Sequence, residues 1–275
     1  MVAAERSAAA LADGGHLVVV TGAGLSADSG IPTFRGEEGY WRVGSRNYQP
    51  TELATAAAFR RVPDVVWPWY LYRRGVCRAA EPNAAHRALA ALAEVLRERM
   101  TLLTQNVDGL HLRAGSPAAR TYEIHGNIDY ARCSVDCTPA TYPLPLDLRP
   151  FGRDDTLDDA TAARLRCPRC GERLRPHVLW FDETYNERHF RWDSSLRAAA
   201  EADALWVVGS SGSTNLPNLV AQIVARNGGL VVDVNPDDSP FAALARQTGG
   251  AHVRKGAGEA LPAMVQAVTW AESRS

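Results

Sequence analysis

Gly22-x-Gly24-x-x-Ala27 follows directly on the apolar run Leu17-Val18-Val19-Val20. At the carboxyl end of a short buried strand, the first glycine of such a turn bends the chain and the second lets backbone approach a pyrophosphate. A small third residue then lets the following helix pack closely. The run continues as Ser29-Gly30-Ile31-Pro32-Thr33-Phe34-Arg35-Gly36, adding a rigid turn, an aromatic ring and a guanidinium whose planar fork matches phosphate. Asn106 and Asp108 stand two apart after a second apolar run, residues 100–103, so an extended continuation presents both on one side. They offer an uncharged donor and acceptor beside an anionic acceptor, although Asn-x-Asp-Gly is also an ordinary turn sequence. His125 precedes Gly126, which lets other groups approach. Imidazole titrates close enough to neutrality to take a proton from a hydroxyl group.

The cysteines are Cys77, Cys133, Cys137, Cys167 and Cys170. Cys167-Pro168-Arg169-Cys170-Gly171 has the spacing of a zinc knuckle. Cys133-Ser134-Val135-Asp136-Cys137 has one residue more than the usual two between thiols, still within what zinc tolerates. With 29 residues between the pairs, these four read as a closed structural zinc site rather than as disulfides. Cys77 falls in a predicted helix, residues 70–80, and reads as a packed small hydrophobe.

Residues 21–36 together resemble the cofactor-binding signature of the sirtuins, the NAD-dependent protein deacylases. Thr104-Gln105-Asn106-Val107-Asp108-Gly109-Leu110-His111 resembles the family's second signature, with Val107 where isoleucine is more usual, and Ile124-His125-Gly126 resembles its histidine–glycine pair. Arg175-Pro176-His177-Val178-Leu179-Trp180-Phe181-Asp182-Glu183, Gly209-Ser210-Ser211 and Val234-Asn235-Pro236 follow in the family's order. The resemblance therefore spans about residue 15 to about residue 265. No acid stands ~20 residues after the glycines, where Gly44 lies, as a dehydrogenase would need; sirtuins lack it too.

The resemblance implies NAD as co-substrate. By that resemblance the acyl-lysine carbonyl oxygen attacks C1′ of the nicotinamide ribose and displaces nicotinamide, His125 deprotonates a ribose hydroxyl so that the O-alkylimidate cyclises, and water releases lysine and O-acyl-ADP-ribose. Asn106 joins His125 as a catalytic residue by ordering ribose and water. The implied NAD contacts are Gly22, Ala23, Gly24 and Ser26 at the turn, Ile31 and Phe34 at the nicotinamide, and Arg35 at the pyrophosphate. Gln105 and Asn106 would serve the ribose, Asp108 the carboxamide, and Gly209, Ser210, Ser211 and Asn235 the adenosine.

On the substrate side, Val178, Leu179, Phe181 and Asp182 belong to a segment that, by resemblance, takes the acyl-lysine protein as an added strand against residues 212–218. Asp182 stands where the family usually has glycine. Ala54, Tyr70 and Arg73 match the sirtuins that remove negatively charged acyl groups. There a Tyr-x-x-Arg pair on one helix face binds the distal carboxylate, and small Ala54 leaves room for a longer chain. The implied activity is removal of acetyl and of succinyl or malonyl groups from lysine.

Apolar runs at 17–20, 100–103, 204–208 and 230–234 alternate with helical patterns at 84–99, 216–226 and 258–271. This rhythm predicts an α/β fold, a Rossmann-like doubly wound parallel sheet with an inserted small zinc-binding domain and a helical cofactor-loop insertion. Three of the signature blocks begin just after a strand, so they should converge on one crevice. The division is 1–36, 83–126 and 200–275 for the NAD-binding domain, and 37–82 with 127–199 for the small domain.

At 275 residues, 46% of them hydrophobic, the chain can bury a full core. A net charge of −1 gives no field that would select nucleic acid or an anionic membrane. No apolar run approaches the ~20 residues of a bilayer span. The first fifteen residues carry both charges and no apolar core, which suggests a frayed lead-in or short helix rather than a secretory signal. The expectation is a soluble cytoplasmic protein, favoured as a monomer. Two other readings compete: an NAD glycohydrolase or ADP-ribosyltransferase using the same site, and a non-enzymatic NAD sensor, which would need no base.

Overall fold

The computed structural model describes residues 2–32 and 50–274. Phe34 and Arg35 lie outside the described residues. The strands are β1 (Leu17–Thr21), β2 (Met100–Thr104), β3 (Thr121–Glu123), β4 (Gly126–Cys133), β5 (Thr141–Pro143), β6 (Leu174–Val178), β7 (Ala204–Val208), β8 (Leu230–Val234) and β9 (Ala251–Val253). One sheet runs β3-β2-β1-β7-β8-β9, and a smaller one runs β5-β4-β6. The first is parallel throughout and the second antiparallel. The doubly wound expectation is borne out.

Residues of β1, β2 and β7 are buried along their whole length, as a parallel strand covered on both faces must be. Side chains alternate between two layers. Leu17 and Val19 pack with Leu11, Leu89 and Leu261, whereas Val18 and Val20 pack with Leu216, Val220 and Phe241. The amino terminus is a helix, Val2–Leu11, and it is part of the first layer rather than a frayed lead-in. Its alanines allow close approach, and the Trp206 indole donates to Ser7 Oγ at 2.9 Å beneath it. The helix Trp192–Glu201 packs in the second layer through Trp192, Leu196 and Ala199, although it falls largely within the segment 127–199 grouped with the small domain.

Strand order reverses between β1 and β7, and there backbone packs directly on backbone. Gly22 N–H donates to the Val208 carbonyl at 2.9 Å, and Gly24 N–H to the Gly209 carbonyl at 3.0 Å. A Cβ on Gly209, whose φ is +60°, would lie 2.5 Å from the Leu25 nitrogen; one on Gly24 would lie 2.8 Å from the Gly209 Cα. The glycines are thus needed first by the protein's own loops. The helix that follows is short, Ala23–Ser26, continued by a 3₁₀ turn over Ala27–Ser29.

The small sheet carries its own core. The helix Pro63–Ala79, longer than the predicted 70–80, lays Trp67, Tyr70 and Cys77 against Ile128, Cys133 and Leu174. The Trp67 indole donates to the Leu174 carbonyl at 2.9 Å. Cys133, Cys137, Cys167 and Cys170 bring their sulfurs within 4.8 Å of one another. Cys133–Cys170 and Cys137–Cys167 are each 3.6 Å apart, far beyond the ~2.0 Å of a disulfide. A tetrahedron with zinc–sulfur bonds of ~2.3 Å has edges of about 3.8 Å, so the donor set fits zinc. Asp136 absorbs the extra residue of the first pair. Its φ of 48° closes a left-handed turn, and its carboxylate accepts from Arg132 at 2.9 Å.

Elemental analysis should find one zinc per chain, and a chelator should remove it together with several degrees of thermal stability, because the thiolates join the end of β4 to the approach of β6. Protein prepared without zinc and equally stable would remove this assignment. At the switch point, Gly209→Ala should cost about 2 kcal/mol or more, since a left-handed backbone and a backbone clash add. Gly75→Ala, in open space within the helix Pro63–Ala79, should be neutral or gain about 0.5–1 kcal/mol. Thermal unfolding of the two variants side by side checks the contrast.

Candidate active site

The turn after β1 and the segment after β2 are joined by one buried hydroxyl. Ser26 Oγ donates to Asp108 Oδ2 at 2.8 Å and accepts from Asn106 Nδ2 at 3.0 Å. Asn106 Nδ2 also donates to the Gly22 carbonyl at 3.0 Å. Asn106 and Asp108 therefore do share one side, as their spacing predicts. The turn reading holds as well: Asp108 Oδ1 accepts from Leu110 N–H at 2.9 Å, and Gly109 has a φ of 71°. Burial pushes the Asp108 carboxyl above its ordinary range, against the hydrogen bonds from Leu110 and Ser26.

Gln105 spans the switch point. Its N–H groups donate to Ser210 Oγ at 2.9 Å and the Thr21 carbonyl at 3.2 Å, and its Oε1 accepts from Thr214 Oγ1 at 2.9 Å. Ser210 is buried, Ser211 is exposed and bonded to Ser213, and Asn235 Nδ2 donates to the Ser210 carbonyl at 3.1 Å. Ala23 and Gly24 are half-buried at the turn. Ile31 instead packs in the small-domain core beside Leu53, Ala54 and Phe59.

His125 sits between β3 and β4, and the residue after it must be glycine. Gly126 has a φ of 82°, and a Cβ there would come within 2.0 Å of the His177 carbonyl of β6. The group that approaches Gly126 is therefore the protein's own strand. Burial pulls the imidazole down to about 4, against a hydrogen bond to the Gln105 backbone, so it is neutral at pH 7. His125 Nε2 lies 2.7 Å from the Tyr185 hydroxyl. Tyr185 and Thr214 carry no local signal in the sequence, because they meet His125 and Gln105 only through the fold.

A short loop after β6 connects this base to the residues read as an acyl pocket. Leu179 N–H donates to the His125 carbonyl at 2.9 Å, and Phe181 N–H to the Ala54 carbonyl at 3.0 Å. Between them, the Trp180 indole donates to the Tyr70 hydroxyl at 2.8 Å. Tyr70 and Arg73 are both buried, and the Arg73 guanidinium lies 4.7 Å from the Trp69 ring centre and 5.4 Å from that of Tyr70. Asp182 accepts from Ala56 and Ala57 N–H at 2.7 and 3.0 Å, clamping the loop to the first turn of the helix Ala56–Arg61. The two N–H groups hold its carboxyl below the usual range, against the effect of burial.

The segment 178–183 is not the continuous strand edge expected. β6 ends at Val178, which pairs with Gly126. The N–H groups of Leu179, Trp180, Phe181 and Glu183 all have acceptors within the chain. Glu183 holds this conformation, accepting from Trp180 N–H at 3.0 Å and from Arg175 Nη2 at 2.8 Å.

Comparison with known proteins agrees with this geometry. A sequence model of the Sir2 family matches residues 22–215. The NAD-dependent protein deacylase of Methylococcus capsulatus is 40% identical over 261 residues, spanning 94% of this chain and 95% of the relative. Its namesake from Thermus thermophilus is 40% identical over 244 residues, 88% of this chain and 87% of the relative. A solved Sir2 homologue, a mutant in complex with ADP ribose, matches with a TM-score of 0.80 at 34% identity over 98% of each chain. A Sir2 mutant bound to a p53 peptide and NAD matches with a TM-score of 0.68 at 26% identity, over 91% of this chain and 92% of that one. The reversed strand order, the glycine turn and the histidine before Gly126 thus lie inside a match that covers most of the chain, and the protein belongs to the Sir2 family.

Proposed function

We propose that the protein removes acyl groups from protein lysine side chains with NAD as co-substrate, that His125 is its base, and that Ala54, Tyr70 and Arg73 receive acetyl and acidic acyl groups. The observation that carries this reading is the loop 179–181. It bonds through Leu179 to the backbone of His125, and through Trp180 and Phe181 to Tyr70 and Ala54. A base and an acyl pocket joined by one rigid connector suit transfer from lysine.

When bound, NAD supplies a ribose carbon bearing nicotinamide as leaving group. Gly22, Gly24, Gly209 and Ser210 fit its phosphates and adenosine, since none of these four positions carries a side chain larger than a hydroxymethyl group. Asn106 has committed its amide hydrogens inward, which leaves Oδ1 to accept from a ribose hydroxyl or water. Asp108 is held by Ser26 and Leu110 and retains lone pairs for a carboxamide N–H. His125, neutral and half-buried, takes the ribose proton. The acyl-lysine protein is proposed to add alongside β6, which is the edge strand of the small sheet.

A glycohydrolase or ADP-ribosyltransferase would use the same NAD site but has no need of the Ala54, Tyr70, Arg73 and Trp180 group, so that reading is disfavoured. A sensor without chemistry leaves His125 and its partners unexplained.

His125→Ala should bind NAD nearly as well as the parent by calorimetry, yet lose deacylation by a factor on the order of 10²–10⁴, the worth of a general base. Parent-like turnover would sink the assignment. Arg73→Met should lower kcat/KM for succinyl-lysine about tenfold or more relative to acetyl-lysine, because only succinyl presents a carboxylate to a buried guanidinium. The ratio of efficiencies on one peptide carrying either acyl group is the quantity to measure. Equal losses would assign Arg73 to the fold, through its stacking on Trp69.

A further inference from the structure

Asp182 stands where glycine is usual in the family, and its carboxylate makes contacts that glycine cannot. Oδ1 accepts from Ala56 N–H at 2.7 Å and Oδ2 from Ala57 N–H at 3.0 Å. These two N–H groups open the helix Ala56–Arg61, and the next, at Ala58, donates to Thr55 Oγ1 at 3.0 Å. A helix of six residues does not hold itself in water, so its place depends on such ties. Two of them come from Asp182, far along the chain. Against the effect of burial, the same N–H groups hold its carboxyl below the ordinary range, so it is charged at neutral pH.

The segment held in this way, residues 54–59, forms one wall of the group read as the acyl pocket. Ala54 begins it, and Phe59 lies against Trp180 with ring centres 5.4 Å apart. The Trp180 indole donates in turn to the Tyr70 hydroxyl at 2.8 Å. Phe181 N–H, between Trp180 and Asp182, donates to the Ala54 carbonyl at 3.0 Å. Ala54, Phe59, Tyr70 and Trp180 are all buried, so the wall and the loop 180–182 are closed on each other. Their ties are the Phe181–Ala54 bond, the two Asp182 bonds and the ring contact. Glycine at position 182 would leave only the first and the last. The two that Asp182 adds are made to an ionised acceptor, which is the stronger kind of hydrogen bond.

We propose that Asp182 is a positioning residue that fixes the wall 54–59 and thereby restricts the enzyme to short acyl groups. A chain longer than succinyl fits only if the segment 54–59 moves away from Trp180, and that motion breaks both Asp182 hydrogen bonds. An acetyl group leaves the wall where it is. The cost of opening therefore falls on long chains alone and is read as selectivity. The other use of an acid here, a charge presented to a basic peptide, is the weaker reading, because both oxygens are already engaged by backbone N–H groups.

The inference rests on Ala54 and Tyr70 lining the acyl pocket, and the experiment separates the two claims. Asp182→Gly removes both acceptor oxygens, whereas Asp182→Asn keeps one. Each is compared with the parent on one peptide carrying acetyl-lysine or octanoyl-lysine. Asp182→Gly should raise the ratio of kcat/KM for octanoyl over acetyl by about fivefold or more. The KM for NAD should stay within about twofold of the parent, and Asp182→Asn should fall between. Amide hydrogen exchange reads the tie without any turnover. The Ala56 and Ala57 amides should exchange about tenfold faster in Asp182→Gly, the worth of a hydrogen bond to a charged group, while amides of β1 and β7 keep the parent rates. Unchanged exchange at Ala56 and Ala57 would overturn the tie. Faster exchange with an unchanged ratio would overturn the restriction, and equal losses on both substrates would assign Asp182 to the fold instead. A parent that deacylates neither peptide would remove the proposed function and this inference with it; a parent active on acetyl-lysine confines any failure to Asp182.

Discussion

Backbone resting on backbone at the heads of β1 and β7 is the constraint from which the site is built. Gly22 and Gly24 lie against Gly209 so closely that no Cβ could be placed between them. This contact is what brings the ends of neighbouring parallel strands into register at the switch point. Ser26 can then reach across to Asn106 and Asp108, and Gln105 can reach Ser210. A phosphate-binding turn is usually described by what it leaves open for a ligand. Here the same glycines first let two loops of the protein close on each other, and any ligand meets an already rigid backbone, which limits the entropy lost on binding.

The loop after β6 depends on that frame and carries it into the second domain. Its N–H groups are spent on His125, Ala54 and Glu183 rather than left as a strand edge. Asp182 adds a fixed tie to the helix Ala56–Arg61. Glycine at this position would leave the two helix N–H groups without that acceptor, so the side chain trades backbone freedom for a clamp beside the acyl pocket. The relation between base and pocket is thereby set by a few hydrogen bonds in one short segment.

Rigidity in the small domain comes from its own core and from the four cysteines. Three strands are about the minimum for independent stability, and a zinc ion held by the four cysteines would join the end of β4 to the approach to β6. The extra residue in the first cysteine pair is tolerated because Asp136 takes a left-handed turn and pairs with Arg132. Arg132 in turn is bonded to Glu183 at 3.2 Å, so the metal module is tied to the substrate loop by ordinary ion pairs.

Features that depend on nearest neighbours along the chain were legible in the sequence. β7 and β8 match runs of buried β-branched residues, the Asn106 and Asp108 pairing follows from period-two geometry, and the cysteine spacing anticipates a tetrahedral donor set. Other features needed the third dimension, because their partners are far apart in the chain. Ser7 beneath Trp206, Gly24 against Gly209, Asp182 on the Ala56 amide and Tyr185 on His125 join residues separated by 60 to 199 positions. A lone tyrosine or aspartate has no periodicity to betray it. Local pattern determined which strands and turns exist; the packing of one loop on another decided which side chains meet the base.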